Sequence, residues 1–196
     1  MKIFTSLRDS ELIVALKNGA VGVLPTDTIY GLVCRATDET AVQRLYALKS
    51  RKYKPGTIIA ADIEQLVKIG IKYRYLKAVE QYWPGSVSVI LPCPELQYLH
   101  LGIDSLAVRI PNQPQLLKLL KLTGPLVTTS ANQPDEPVAN TIAEAQNYFG
   151  DQIDFYVDGG NLANRPPSTI IRVIDDTIEI VRPGAVTIDE NGRITQ

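Results

Sequence analysis

The chain has 196 residues, of which 45% are apolar and 21% are charged, and its formal net charge is −1 at pH 7. A chain of this size and composition folds as one domain and buries about 70% of its unfolded surface, which excludes dependence on a disulfide or a structural metal. The near-neutral charge balance also excludes a globally basic nucleic-acid binder. We therefore predict one domain over residues 1–196.

Short apolar runs and amphipathic stretches are mixed along the chain, which predicts an α/β class with a partly antiparallel sheet. Asp9 or Ser10, Asp38 and Asp62 are the capping residues that begin three of the helices. In chain order, we predict a helix ending at residue 18, a strand at 20–24, a helix at 38–49, a strand at 57–61, helices at 63–69 and 73–82, strands at 87–91 and 106–110, a helix at 114–122, a strand at 126–129, a helix at 141–149, a strand at 155–157, and hairpin strands at 168–174 and 177–181 that turn at 175–176.

Two cysteines and a single histidine limit the chemistry of the chain. Cys34 and Cys93 are far apart and form no C-x-x-C pair, which argues against a disulfide scaffold and a zinc knuckle. His100 is the single histidine of the chain, which argues against a Ser-His-Asp triad and a multi-histidine metal site. With neither a signal peptide nor an apolar run of ~20 residues in view, we expect a cytoplasmic protein without a membrane partner.

Several predicted strands end in small polar residues, at 26–28, at 128–130 with Asn132, and at 168–169. In open α/β sheets, ligands collect at strand ends beside loops and helix N-termini. Hydroxyls and free backbone N–H groups there suit carboxylates, riboses and phosphates. Composition alone favours the simpler interpretation, in which these residues only form turns.

Positive charge is concentrated in three places. Residues 44–54 contain five cations and no acid, a pattern that fits a polyphosphate better than a helix end, although a solvated surface is the alternative. Arg109 lies inside an apolar strand, so it must pair either with an internal acid or with a ligand carboxylate. Arg182 ends a later strand. If the chain is an enzyme, these features indicate catalysis by positioning and by positive charge.

Seven short motifs occur in order along almost the whole chain and together resemble the YrdC family, the threonylcarbamoyl-adenylate synthases, in its single-domain form. Each motif alone is weakly specific, whereas the ordered set is highly specific. They are P-T-D-T-I-Y-G-L at 25–32, K-S-R at 49–51, W-P-G at 83–85, D-S-L-A-V-R-I-P at 104–111, S-A-N at 130–132, D-G-G at 158–160 with S-T-I at 168–170, and R-P-G at 182–184.

This resemblance implies a YrdC/RibB-like fold, in which a twisted sheet of mixed parallel and antiparallel strands carries helices on both faces and a concave basic groove. It implies that L-threonine, bicarbonate and ATP, with Mg²⁺, give threonylcarbamoyl-AMP and pyrophosphate. The product would supply the modification of adenosine 37 in tRNA through tRNA threonylcarbamoyl-transferase proteins. Direct binding of tRNA or double-stranded RNA is a further expectation.

The resemblance also implies a role for each matching residue. Thr28, Arg109 and Ser168 would bind threonine, with Arg109 on its carboxylate. Lys49 and Arg51 would be catalytic through the phosphates. The residues implied for ATP binding are Lys49, Arg51, Ser105, Thr128, Ser130, Asn132 and Arg182.

Some positions depart from the family pattern. Lys52, Thr57, Ala60 and Ser86 stand where relatives often have other residues, and Pro134 with Asp135 replaces a Ser-Gly pair after S-A-N. The last departure puts one nucleotide contact in doubt. Three alternatives remain: an RNA-binding module without synthase activity, a carbamoyl-transfer domain of the hydrogenase-maturation type, and a scaffold with a vestigial pocket.

Overall fold

The computed structural model describes residues 1–50, 54–174 and 177–195. The described strands are β1 (Lys2–Phe4), β2 (Gly22–Pro25), β3 (Tyr30–Arg35), β4 (Thr57–Ile59), β5 (Val87–Pro92), β6 (Ser105–Arg109), β7 (Leu126–Ser130), β8 (Phe155–Val157), β9 (Thr169–Ile174), β10 (Thr177–Arg182), β11 (Thr187–Ile188) and β12 (Ile194–Thr195). The described helices are α1 (Ser10–Lys17), α2 (Glu39–Leu48), α3 (Ile63–Lys68), α4 (Tyr73–Ala78), α5 (Gln97–His100), α6 (Pro114–Thr123) and α7 (Ile142–Phe149).

Ten of these strands form one open sheet in the order β1-β8-β2-β3-β7-β4-β6-β5-β9-β10. The sheet contains both parallel pairs (β1 with β8, β2 with β8, β4 with β6, β5 with β9) and antiparallel pairs such as β2 with β3 and β5 with β6. The short strands β11 and β12 pair only with each other. The predicted α/β class with a mixed sheet is therefore confirmed.

Helices cover both faces of the sheet, because successive strand residues point to opposite sides. Leu24 packs with α1 and α6 in one apolar cluster, whereas its neighbour Val23 packs with α2, α3 and α7 in the other. Leu32 and Val33 divide between the two clusters in the same way. Strands buried on both faces are apolar at every position rather than at every second one.

The predicted helix caps are confirmed in detail. The carboxylates of Asp9, Asp38 and Asp62 accept hydrogen bonds from the backbone N–H groups of the first helical turns of α1, α2 and α3. Each cap satisfies a donor that has no partner within its helix, and this contributes about 1 kcal/mol per cap. These caps fix where the helices begin and therefore how they lie on the sheet.

The largest difference from prediction follows β2. A loop was expected after residue 24, but the chain turns at residues 26–29 and returns as β3, which is antiparallel to β2. β1, α5 and the β11–β12 pair were also not predicted. The strands β9 and β10 form the expected antiparallel hairpin, but its predicted turn at 175–176 lies outside the described residues.

Both cysteines are buried and free, and burial raises the pKa of each thiol. Within the described ranges, no helix is long and apolar enough to cross a membrane.

The close approach of β2 to β8 depends on a glycine. A Cβ on Gly22 would lie 2.5 Å from both the ring and the carbonyl oxygen of Phe155. Gly22→Ala should therefore lower the free energy of unfolding by about 1–3 kcal/mol, the usual cost of overpacking a core. Urea denaturation of this variant beside Thr177→Ala, on the exposed edge strand, checks the prediction. Equal stability of the two variants would contradict it.

Candidate active site

The ends of the central strands surround a cavity of about 130 Å³. Its walls come from the β2–β3 turn, the entry to β4, the ends of β6, β7 and β10, and the entry to β9. Six of the residues implied by the family resemblance line it together: Thr28, Arg109, Thr128, Ser130, Ser168 and Arg182. They come from segments that are distant in sequence, so the fold brings them together.

Arg109 is the most deeply buried cation of the cavity, with 3% of its surface exposed. Its Nη1 donates to Oδ1 of Asp27 at 2.7 Å, and the other oxygen of Asp27 accepts from the backbone N–H of Asn112 at 3.1 Å. Burial lowers the pKa of the Arg109 guanidinium, and Asp27 opposes that shift. Nε of Arg109 is buried and has no hydrogen-bond partner among the described residues. Arg109 is thus paired with an internal acid and still has an N–H group without a partner among the described residues.

Arg182 forms a second cationic wall. Its Nη2 donates to the backbone oxygen of Ser168 at 2.6 Å and to Oγ of Ser168 at 3.2 Å. Burial lowers the pKa of Arg182, and the charge of Arg109 lowers it further. Two guanidinium groups that repel each other therefore lie close together, and an anion between them would relieve the repulsion.

The β2–β3 turn presents two buried hydroxyls. Oγ1 of Thr26 donates to the carbonyl oxygen of Ile29 at 2.7 Å and accepts from the backbone N–H of Thr28 at 3.2 Å. The hydroxyl of Thr28 lies 3.1 Å from that of Thr26. Both residues are 4% exposed and line the cavity.

Lys49 lies beside the cavity rather than in its lining. Its Nζ donates to the backbone oxygens of Ser130, at 3.1 Å, and Asn132, and to Oδ1 of Asn132 at 2.7 Å. Oγ of Ser130 donates to the same Oδ1 at 2.7 Å. Lys49 therefore holds the S-A-N turn, and its ammonium is shared among several oxygens.

Two of the other implied residues, Ser105 and Asn132, do not line the cavity. Ser105 begins β6, four residues and ~13 Å before Arg109 at the other end of the strand, and it is not among the residues that line the cavity. Arg51, together with Lys52, lies outside the described residues.

Sequence reasoning missed several residues that build the cavity. The acid that pairs with Arg109 was left open between any internal Asp or Glu, and it is Asp27. The hydroxyl of Tyr30 accepts from the backbone N–H of Gly159 and donates to the carbonyl oxygen of Gly160, both at 2.8 Å. Tyr46 accepts from the backbone N–H of Gly56, which lines the cavity, at 3.0 Å. For Tyr30 and Tyr46, the available sequence signal was a tyrosine beside apolar residues, because the hydroxyl of a buried tyrosine usually finds a hydrogen-bond partner.

Comparison with known proteins agrees with this geometry. A family model described as "Telomere recombination" (Sua5_yciO_yrdC) matches residues 14–184. The chain belongs to the Sua5/YciO/YrdC family. A threonylcarbamoyl-AMP synthase of Pseudomonas putida is 34% identical over 185 residues, which cover 92% of this chain and 99% of the relative.

Solved structures of the Sua5/YciO/YrdC family share the fold. P. abyssi Sua5 complexed with L-threonine superposes with a TM-score of 0.84 at 28% identity, over 95% of this chain and 58% of that one. E. coli YciO superposes with a TM-score of 0.80 at 24% identity, over 94% of this chain and 96% of that one. The expectation of a mixed α/β sheet of the YrdC type is therefore confirmed.

Breaking the Arg109–Asp27 ion pair should be costly. Asp27→Ala leaves a buried guanidinium without its counter-charge, so the free energy of unfolding should fall by about 3–5 kcal/mol. Glu179→Ala is the matched control, because its pair with Arg172 is exposed and should contribute at most about 1 kcal/mol. Urea denaturation compares the two variants. Similar losses in the free energy of unfolding would show that the buried pair contributes no more than the exposed one.

Proposed function

We propose that this chain is an L-threonylcarbamoyladenylate synthase, a nucleotidyltransferase that converts L-threonine, bicarbonate and ATP to threonylcarbamoyl-AMP and pyrophosphate. The observation that carries the proposal is the convergence of Arg109 and Arg182 with the hydroxyls of Thr28 and Ser168 in one cavity. The curated relatives named threonylcarbamoyl-AMP synthase support it, since the P. putida protein aligns over 99% of its length.

In this proposal, the buried end of the cavity binds threonine. The Arg109 guanidinium has spare donors beyond its bond to Asp27 and suits the substrate carboxylate. Thr28 and Ser168 supply hydroxyls to the polar groups of the substrate. The apolar side chains of Ile29 and Ile170 also line the cavity and offer a surface for the substrate methyl group.

The nucleotide would lie toward the S-A-N turn. Thr128 and Ser130 line the cavity at that edge, and Asn132 and Lys49 are bonded to each other and to Ser130 beside it. We place Lys49 and Arg51 at the phosphates and Arg182 at the junction of the two substrates. Ser105, if it contacts ATP, does so away from this cavity.

The chemistry requires positioning rather than a covalent protein intermediate. Bicarbonate takes up a proton and loses water to give carbon dioxide, and the threonine amine adds to it and releases a proton, which gives a carbamate. A carbamate oxygen then attacks the α-phosphorus of ATP. The bond from that phosphorus to the departing pyrophosphate then breaks. Both reactants are anions, so guanidinium groups fixed before the reaction offset their repulsion and stabilise the transition state.

Magnesium would arrive with the nucleotide. Among the described residues, no group of three His, Cys, Asp or Glu side chains could hold a metal ion. Mg²⁺ bound to the ATP phosphates would neutralise charge on the leaving pyrophosphate. The product would then pass to tRNA threonylcarbamoyl-transferase proteins, and direct contact with tRNA remains part of the proposal.

The pure protein, incubated with labelled bicarbonate, MgATP and L-threonine, should release pyrophosphate and form a labelled, acid-labile adenylate. Arg109→Ala should reduce that rate by orders of magnitude, because losing a buried charged clamp costs ~2–5 kcal/mol of interaction. We expect a loss of the same order in Arg51→Ala, because it would remove a charged contact to the phosphates. Arg172→Ala, on an exposed strand, is the control and should retain the wild-type rate. Wild-type rates in the first two variants would remove these residues from the site.

The enzyme should prefer threonine over serine through the methyl group. One methyl in an apolar contact is worth about 1–3 kcal/mol, so kcat/KM should differ by about 10–200-fold. Adenylate formation with each amino acid measures this ratio. Equal values would mean that Ile29 and Ile170 do not contact the substrate side chain.

A further inference from the structure

The hydroxyls of Ser168 and Thr28 each contact a second protein hydroxyl, and these contacts determine which way the two hydroxyls point. Ser88 on β5 is fully buried, and its Oγ lies 3.0 Å from Oγ of Ser168. Within the described part of the chain, this is the only hydrogen bond of the Ser88 side chain. A buried hydroxyl proton without an acceptor is costly, so Ser88 donates to Ser168.

That donation fixes Ser168 as a donor toward the cavity. A serine hydroxyl has one proton and two lone pairs. Oγ of Ser168 accepts from Ser88 at 3.0 Å and from Nη2 of Arg182 at 3.2 Å, so both lone pairs are occupied. Only its proton remains for a ligand, and the ligand atom that it meets must be an acceptor such as a carboxylate oxygen.

Counting protons and lone pairs in the same way makes the Thr28 hydroxyl an acceptor toward the ligand. Thr26 gives its single proton to the carbonyl oxygen of Ile29 at 2.7 Å. In the 3.1 Å contact between the two threonine hydroxyls, Thr26 can therefore only accept, and Thr28 donates. The lone pairs of Thr28 remain, so Thr28 meets a ligand atom that donates, such as an ammonium or a carbamate N–H.

We propose that Thr26 and Ser88 are positioning residues that give the cavity a fixed hydrogen-bond polarity, with Thr28 as acceptor and Ser168 as donor. An α-amino acid then binds in one orientation, with its amine at Thr28 and its carboxylate at Arg109 and Ser168. This inference rests on the proposed function, because it assigns the substrate groups of that same site.

Isosteric pairs of variants test each positioning hydroxyl. Ser88→Thr and Ser88→Val have nearly the same shape, but only the first keeps a hydroxyl, and Thr26→Ser and Thr26→Val differ in the same respect. Calorimetry without ATP should show L-threonine binding weakened about tenfold in both valine variants, the loss of about one hydrogen bond. The hydroxyl-bearing variants should stay within about threefold of wild type. Equal affinity of each valine variant and its partner would overturn the proposal.

Two threonine analogues separate polarity from general damage to the fold. L-Threoninol lacks the carboxylate, so Thr26→Val should weaken its binding and Ser88→Val should not. (R)-3-hydroxybutanoate lacks the amine, so the pattern should be reversed. A merely structural effect would weaken both analogues equally in each variant, and that result would refute the assignment. Ser88→Ala replaces Ser88→Val if the larger side chain prevents folding.

The wild-type protein separates this inference from the proposed function. If it neither binds L-threonine nor forms the adenylate, the proposed function fails. If it does both while the crossed pattern of the analogues is absent, only the positioning roles of Thr26 and Ser88 fail. Melting temperatures of all variants, measured in parallel, identify any loss of folded protein.

Discussion

The buried ion pair between Arg109 and Asp27 is the constraint on which the site depends. Arg109 ends β6 and Asp27 lies in the β2–β3 turn, so the pair joins two parts of the sheet that are separated by β3, β7 and β4. Buried charges are retained at a cost in desolvation, which their mutual attraction repays only with good geometry. Here Nε of the same guanidinium has no partner among the described residues, so Arg109 anchors the turn and, in the proposed function, would also bind the substrate carboxylate.

Around this pair, contacts with neighbouring protein hydroxyls fix the hydrogen-bond directions of the hydroxyls that face a ligand. Ser88 and Thr26 use their protons on the protein, which leaves Ser168 and Thr28 with opposite capacities toward a ligand. Lys49 similarly donates hydrogen bonds to Ser130 and Asn132 and so holds the turn that carries them. The site is therefore preorganised, which is the form of catalysis that suits a reaction between two anions.

The sequence indicated most elements of the fold, because apolar periodicity, capping residues and Gly-Pro breaks act over short distances. It failed at β3, whose residues are apolar on both faces and follow three polar residues that were interpreted as the end of a strand. It identified the residues of the cavity through ordered motifs, yet it could not choose Asp27 as the partner of Arg109. That choice is made by the strand order, which joins residues 82 positions apart and leaves no local signal.

Arg182 reaches the cavity from β10, the outermost strand of the sheet, which hydrogen-bonds to a single neighbour. Edge strands exchange their amide protons and open more readily than central ones, because fewer contacts must break. The turn that carries Thr28, in contrast, is held between two strands near the middle of the sheet. The two sides of the pocket thus differ in how many strands support them, and we expect the amide protons around Arg182 to exchange before those around Thr28.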